Sequence, residues 1–368
     1  MVFLINPDLD RARPYGAAER AILSVEAART AHAAIGRWPG YTPTPVHDLP
    51  SLAAEAGVGA VWLKDEGRRF SLKSFKALGG AYAVERLAAA RGSDGLVVTC
   101  ATDGNHGRSV AWGARRAGAK AVIYVHQGVS QGRADAISAF GADVVRAGAT
   151  YDESVHLSAE AAAAHDWTIV SDTSWPGYED IPKDVMQGYA VMALELAAQN
   201  VAPTHVFVQG GVGGLAAGVL SYGWETLGAE RPVMTVVEPE TAACLFLSAK
   251  AGKPVTFPGD LETVMAGLSC GEPSILAWAI LGPGADAFMT IADVAAETMM
   301  CDLARLGRVV GESGVAGLAG FRRAAADPAA RAALGLGPES RVLCYATEGA
   351  TDPLVYARIV GKRPEEVG

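Results

Sequence analysis

The chain has 368 residues, 50% of them hydrophobic and 19% charged, enough apolar material to bury a sizeable core. At roughly 100–200 residues per domain this length predicts two domains, and the composition excludes disorder and a collagen-like repeat. The net charge is -9 and no Lys/Arg run is long enough to make a basic stripe, which argues against a nucleic-acid or anionic-membrane partner.

Glycine stands at 43 residues, about 12% against a typical 7%, without a fibre or linker period, so the surplus needs a local explanation. The first residues, Met1-Val2-Phe3-Leu4-Ile5-Asn6-Pro7, lack the basic stretch and apolar length of an export signal. The longest uncharged segment, His205 to Trp224, holds six Gly and a Gln and reads as strand, loop and helix, not as a membrane span. Cys100, Cys244, Cys270, Cys301 and Cys344 are scattered and odd in number, with no zinc-binding spacing. A reduced, cytoplasmic protein with mostly buried thiols is expected.

In chain order, Val61-Trp62-Leu63-Lys64 predicts a strand, followed by a helix near 76–90. From residue 96, β-branched runs alternate with Ala-rich helical stretches. Strands are expected at Leu96–Cys100, Ala121–Val125, Asp143–Val145 and Trp167–Val170, with helices at about 105–117, 132–140 and 152–165 between them. Such close spacing fits only βαβ crossovers with short loops. A second series runs from His205–Val208 through a Gly-rich loop and a helix to Met234–Val237, and closes with Arg341–Tyr345. Between 240 and 340 the pattern reads as helix or loop.

Three segments can carry chemistry. Gln209-Gly210-Gly211-Val212-Gly213-Gly214-Leu215 follows a strand and opens a helix, so its backbone N–H groups and the positive helix end suit a phosphate. A tight turn without ligand is the plain alternative. Locally, Gly211-x-Gly213-x-x-Ala216 also satisfies the dinucleotide fingerprint of a nicotinamide-dependent dehydrogenase, with Glu238 where a ribose-binding acid would sit. Lys76 lies in the apolar frame Phe75-Lys76-Ala77-Leu78-Gly79-Gly80 at a helix start, where both burial and the helix end disfavour its ammonium, as a Schiff-base amine requires. Lys73 reads as a solvated surface charge. Thr102-Asp103-Gly104-Asn105-His106-Gly107-Arg108 follows a strand at the sheet edge where ligands bind in open α/β folds, and Asp172 ends another strand at that edge. Either Thr102 or Asp103 could be a plain helix N-cap. Two carboxylates and a lysine converging on one crevice suggest acid–base chemistry on an imine.

Phe75-Lys76 with Leu78-Gly79-Gly80, then Thr102 to Arg108, then the loop 210–214, in that order, resemble the fold-type II (tryptophan synthase β-like) pyridoxal-phosphate enzymes. Further matching stretches, among them Asp172-Thr173-x-Trp175-x-Gly177-Tyr178, Met265-Ala266-Gly267-Leu268-x-Cys270-Gly271-Glu272-Pro273, Gly311-Glu312-Ser313-Gly314 and Thr347-Glu348-Gly349, extend the likeness over nearly the whole chain. Asp103, where threonine and serine dehydratases carry a small residue, is similar to the diaminopropionate ammonia-lyase branch. The resemblance implies two open parallel-sheet α/β domains with the cofactor in the crevice between them. The large domain would comprise 1–84 and 186–368, and the small one 85–185. It implies that Lys76 holds pyridoxal phosphate covalently, that Asn105 meets the ring oxygen, that Gly210, Gly211, Val212, Gly213 and Gly214 cradle the phosphate, and that Thr347 faces the pyridine nitrogen. Thr102, Gly104 and His106 would meet the substrate carboxylate. Asp103 would be the base for the D-isomer of 2,3-diaminopropionate and Asp172 for the L-isomer. The expected reaction is α,β-elimination giving pyruvate and ammonia, by a homodimer acting on a small amino acid. A dehydratase of a β-hydroxy amino acid such as threonine or serine is the alternative.

Overall fold

Unbroken apolar runs bounded by turns become strands buried on both faces, as parallel sheets require. The computed structural model describes residues 1–367, so the last position of the expected third segment, 368, lies outside the described residues. Among the described residues eleven strands form two sheets: β1 Val2–Ile5, β2 Val46–Asp48, β3 Ala60–Asp65, β4 Val97–Ala101, β5 Lys120–Val125, β6 Asp143–Arg146, β7 Thr168–Ile169, β8 His205–Gln209, β9 Val233–Pro239, β10 Ala287–Ile291 and β11 Arg341–Ala346. The smaller sheet has the order β6-β5-β4-β7 and is parallel throughout; the larger has the order β1-β10-β9-β8-β11-β3-β2.

The expected parallel arrangement holds in the interior of the larger sheet, and its two edges add antiparallel strands. Its five inner strands are parallel, but β1 pairs antiparallel with β10 and β2 antiparallel with β3. Both are short edge strands. β10, deep in the region read as helix or loop, is Ala-Phe-Met-Thr-Ile; its Ala and Met favour helix, and full burial beside β9 overrides that preference. The strand expected at 167–170 shortens to Thr168–Ile169.

The smaller sheet takes residues 97–169, and the larger takes 2–65 and 205–346. The expected boundaries at 84/85 and 185/186 fall inside the helices Lys76–Arg91 and Asp180–Ala198. The first of these helices packs closely on the second and on the helix Asn105–Ala117 because glycines leave room: a Cβ on Gly79 would run into the Tyr189 ring, and one on Gly80 would sit 2.5 Å from the Ser109 hydroxyl. Packing of helix on helix, not approach to a ligand, therefore accounts for this glycine pair.

The topology gathers chemistry at the C-terminal ends of parallel strands. Lys76 follows β3, the glycine loop follows β8, and Thr347 follows β11, its neighbour on both sides. From the other sheet, Thr102 to Asn105 follow β4, His126 follows β5, and Asp172 lies beyond β7. Among the described residues no helix is long and apolar enough to cross a membrane.

Candidate active site

Lys76 is held at the first turn of its helix by the neighbouring strand end. Phe75 N–H donates to the Thr347 carbonyl at 3.0 Å, and the Ser109 hydroxyl donates to the Lys76 carbonyl at 2.6 Å. The side chain extends past the rings of Phe75 and Tyr189, its Nζ 5.3 and 5.9 Å from their centroids, and reaches the carboxylate of Asp172. Burial, the largest single influence, depresses the amine, but the Asp172 charge and hydrogen bond, joined by Tyr189 and Cys270, together outweigh it and raise Lys76 above the ordinary lysine value. The sequence expectation of a lowered amine is thus corrected: it omitted the anion delivered from the other sheet. Reciprocally, burial pushes Asp172 up, while the Lys76 charge holds it below the ordinary carboxylate range. Lys73 is exposed.

His106 lies behind this pair. Its Nε2 is 2.7 Å from the Val170 carbonyl, which can only accept, so the ring proton is on Nε2. Nδ1, buried without a protein partner and 3.8 Å from Asp172 Oδ2, is then bare, and burial lowers the ring's proton affinity. A neutral ring in that tautomer has no donor for a carboxylate, so any role of His106 toward one would come from its backbone N–H.

Opposite Lys76, Gly211 to Gly214 line the cleft at the start of the helix Gly214–Leu227. Gly213 has φ +97°, and a Cβ there would lie 3.0 and 3.1 Å from Leu281 and Ala277. One on Gly211 would lie 3.1 Å from the Cys270 sulfur. Gly210 departs from expectation: its N–H continues the ladder, donating to the Val237 carbonyl at 2.9 Å, and is not free for an anion. Glu238 also leaves the dinucleotide reading without support. Its two carboxylate oxygens accept the N–H groups of Leu245 and Phe246 at 2.9 and 2.6 Å, capping the helix Cys244–Ala251.

The Thr347 hydroxyl accepts from Gln209 Nε2 at 2.6 Å. The same Nε2 faces the carbonyls of Ser313, Gly314 and Tyr345 at 3.1–3.2 Å, which fixes the amide orientation. An NH2 group cannot accept, so the Thr347 proton is left to donate to a ligand. Asn105 donates to the Glu348 carboxylate, which also accepts the Ser313 N–H at 3.0 Å.

The loop after β4 is shaped by Thr102, whose hydroxyl accepts the N–H groups of Gly104 and Gly107 at 3.0 and 3.1 Å. Gly104 has φ +150° and lies under the Arg133 side chain. Asp103 Oδ1 lies 2.9 Å from His126 Nε2. Tyr151, at the start of the helix Tyr151–His165, lines the same cavity; burial, then the charges of Asp172 and Asp103, hold its phenol well above the ordinary value. The cavity, about 660 Å³, is lined by Lys76, Thr102, Asp103, Gly104, Asn105, His106, Asp172 and Thr347 together with the glycine loop.

Residues 37–348 match the family described as pyridoxal-phosphate dependent enzyme. The diaminopropionate ammonia-lyase of Escherichia coli (strain K12) is 36% identical over 387 residues, spanning 98% of this chain and 97% of that protein. That of Salmonella typhimurium (strain LT2) is 38% identical over 361 residues, spanning 88% and 89%. This chain belongs to the diaminopropionate ammonia-lyases. The crystal structure of the Escherichia coli diaminopropionate ammonia-lyase in complex with an aminoacrylate-PLP azomethine reaction intermediate has a TM-score of 0.89 to it at 35% identity, covering 98% of this chain and 96% of that one.

The residues fit the cofactor of this ammonia-lyase family. A glycine-rich loop opens a helix where a phosphate would sit, a buried hydroxyl has its proton free to donate into the cleft, and a lysine reaches into the same cleft. Sequence reasoning missed Gln209, Tyr151 and His126. Gln209 was legible only as a strand-end residue before the glycines; Tyr151 lies in the matching stretch Gly148 to Asp152 but was given no role, His126 stands outside any motif, and only the fold brings the one to the cleft and the other behind Asp103.

Proposed function

We propose that the chain catalyses α,β-elimination of ammonia from 2,3-diaminopropionate, with pyridoxal phosphate held at Lys76. The observation that carries this reading is the convergence in one cleft of an amine, two carboxylates from separate strand ends and a glycine anion cradle. The cofactor, when bound, supplies an electron sink for the bond-breaking at Cα and Cβ. The chain's residues do the rest. The amides of Gly211 to Gly214 hold the phosphate, and Asn105 and Thr347 orient the ring, the latter by donating the proton that Gln209 leaves it. The Thr102 and Gly104 N–H groups are already paired, with the Tyr124 carbonyl and the Thr102 hydroxyl, so the substrate carboxylate is taken by the N–H groups of Asn105 and His106 at the start of their helix, with the Thr102 hydroxyl bracing the turn. Asp103 accepts the Cα proton of the D-isomer and Asp172 that of the L-isomer, each from its own strand end. Loss of the β-amino group and hydrolysis of the released enamine give pyruvate and two ammonia.

The test is a panel of D- and L-diaminopropionate against the serine and threonine enantiomers. Two ammonia per keto acid from diaminopropionate, outpacing the hydroxy amino acids, is the expected result. One ammonia per keto acid from serine or threonine as the faster reaction would replace this reading by the dehydratase one. Borohydride treatment should fix the cofactor on Lys76 in the native chain and not in Lys76→Ala. The same reading expects a homodimer in the cytoplasm: all five cysteines are free, which suits a reducing compartment, and sedimentation checks the dimer.

A further inference from the structure

Strand register places a histidine beside one of the two carboxylates. β4 and β5 run parallel with Ala101 opposite Tyr124, and the ladder continues through the Thr102 N–H, which donates to the Tyr124 carbonyl at 3.0 Å. Two residues further along each strand stand Asp103 and His126. There the His126 Nε2 meets Asp103 Oδ1 at 2.9 Å.

The ring is fixed from its other side. Gly128 N–H donates to His126 Nδ1 at 3.1 Å, so the ring proton is on Nε2 and points at Asp103. A Cβ at Gly128 would lie 2.9 Å from the ring's Cε1, so only glycine admits this approach. The backbone of the turn is clamped as well. Arg146, at the end of β6, donates to the carbonyls of His126, Gln127 and Val129 at 3.1, 3.2 and 2.7 Å. Asp103 is meanwhile held by its carbonyl, 3.4 Å from Arg133 Nη1. The cavity is lined by Asp103 and not by His126, so the histidine stands behind the carboxylate.

We propose that His126 is a positioning residue for Asp103. Its Nε2–H fixes one carboxylate oxygen so that the other is presented to the substrate's Cα proton. The proposal rests on the reading of Asp103 as the base for the D-isomer. An unoriented aspartate on a loop would sample rotamers in which neither oxygen reaches the proton, and loss of orientation of about 1 Å costs rate steeply. Asp172 makes no such contact with His126; its neighbours are Lys76 and His106. Removal of His126 should therefore separate the two isomers.

The experiment uses the cofactor-loaded enzyme and measures kcat and KM for D- and L-diaminopropionate in the wild type, His126→Phe, His126→Gln and Asp103→Asn. In His126→Phe we expect kcat on the D-isomer to fall about 10-fold or more. KM should change little, and the L-isomer rate, which reports the folded and loaded fraction of the same preparation, should stay within about twofold. His126→Gln, whose amide can donate from a similar place, should recover part of the D-isomer rate. Nitrogen NMR of the imidazoles in the loaded enzyme, with the His126 signals assigned from the variants, should show Nδ1 unprotonated and Nε2 protonated, with Nε2 shifted by Asp103→Asn. Equal losses on both isomers in His126→Phe would make the histidine merely structural and overturn the proposal. So would an unimpaired D-isomer rate in His126→Phe when Asp103→Asn has lost it. If Asp103→Asn itself leaves the D-isomer rate intact, the reading of Asp103 as its base fails, and the proposal with it.

Discussion

At the level of single residues, the decisive fact about Lys76 is the partner that the other sheet brings to it. Its apolar frame was readable in the sequence; Asp172, 96 positions away, was readable as a strand-end acid but not as the counter-ion that reverses the expected shift. The consequence can be measured. Asp172→Asn removes the charge that opposes burial, so the Lys76 amine should titrate lower. The cofactor-free variant should then capture pyridoxal phosphate faster near neutral pH than the wild type. The same substitution should cut kcat on L-diaminopropionate by about 100-fold or more, the usual scale for a lost general base. Stopped-flow absorbance reports the first effect and steady-state kinetics the second. Slower capture with unchanged L-isomer turnover would mean that Asp172 neither sustains the ammonium nor takes the proton. Gln209 makes a second residue-level case. Gln209→Leu strips the donor from Thr347 and leaves the carbonyls of Ser313, Gly314 and Tyr345 facing an apolar side chain. Unpaired buried carbonyls cost about 1–3 kcal/mol, so the melting temperature should fall, and the absorbance band of the bound cofactor should shift as the Thr347 proton loses its direction. An unaltered band would show that Gln209 does not set that hydroxyl.

Secondary-structure elements were legible where hydrophobic pattern and propensity agreed. The helix Asn105–Ala117 and strands β5, β8, β9 and β11 stand within a residue or two of expectation, because β-branched runs and Ala-rich stretches alternate there without conflict. β1, β2 and β10 were not legible. Two are short edges, β1 paired with the distant β10 and β2 a three-residue strand on the next strand β3, and the third carries helix-favouring residues that burial overrules. The glycine loop shows the same division. Its place between strand and helix was readable, whereas the engagement of Gly210 in the sheet depends on β9. Its members should therefore respond differently to a methyl group. Gly213→Ala adds a Cβ at φ +97° against Leu281 and Ala277, combining left-handed backbone strain of about 1–2 kcal/mol with a clash in the cradle. Gly214→Ala places its Cβ no closer than 3.4 Å to any neighbour, an ordinary contact. The dissociation constant for pyridoxal phosphate, by fluorescence titration, should rise at least about tenfold for Gly213→Ala and clearly less for Gly214→Ala. The reverse order would remove Gly213 from the cradle.

For the molecule as a whole, the question is what joins the two sheets across the cleft. Arg133, on the helix Gln131–Ser138, donates to Glu312 Oε1 at 2.8 Å, and the Ser130 hydroxyl donates to Asp352 Oδ2 at 2.8 Å. Glu312 is buried; burial, then the Glu348 charge, raise its carboxyl above the ordinary range, and Arg133 opposes them. A carboxyl whose folded value lies above its unfolded value of about 4.3 contributes stability that is complete below that unfolded value and is lost as pH rises through the folded one. Arg133→Ala removes the opposing charge, so Glu312 should move up further and its ionised form become costlier. The melting temperature of the loaded variant should then drop more steeply than that of the wild type between pH 5 and pH 8. The deficit at pH 8 should be on the order of 1–3 kcal/mol, and little of it should remain at pH 5. Adding Glu312→Gln, which cannot ionise, should return the slope to near that of the wild type or flatter. Melting curves of the three proteins at the two pH values decide the matter: parallel slopes for wild type and Arg133→Ala would show that the contact across the cleft is not held by this charge pair.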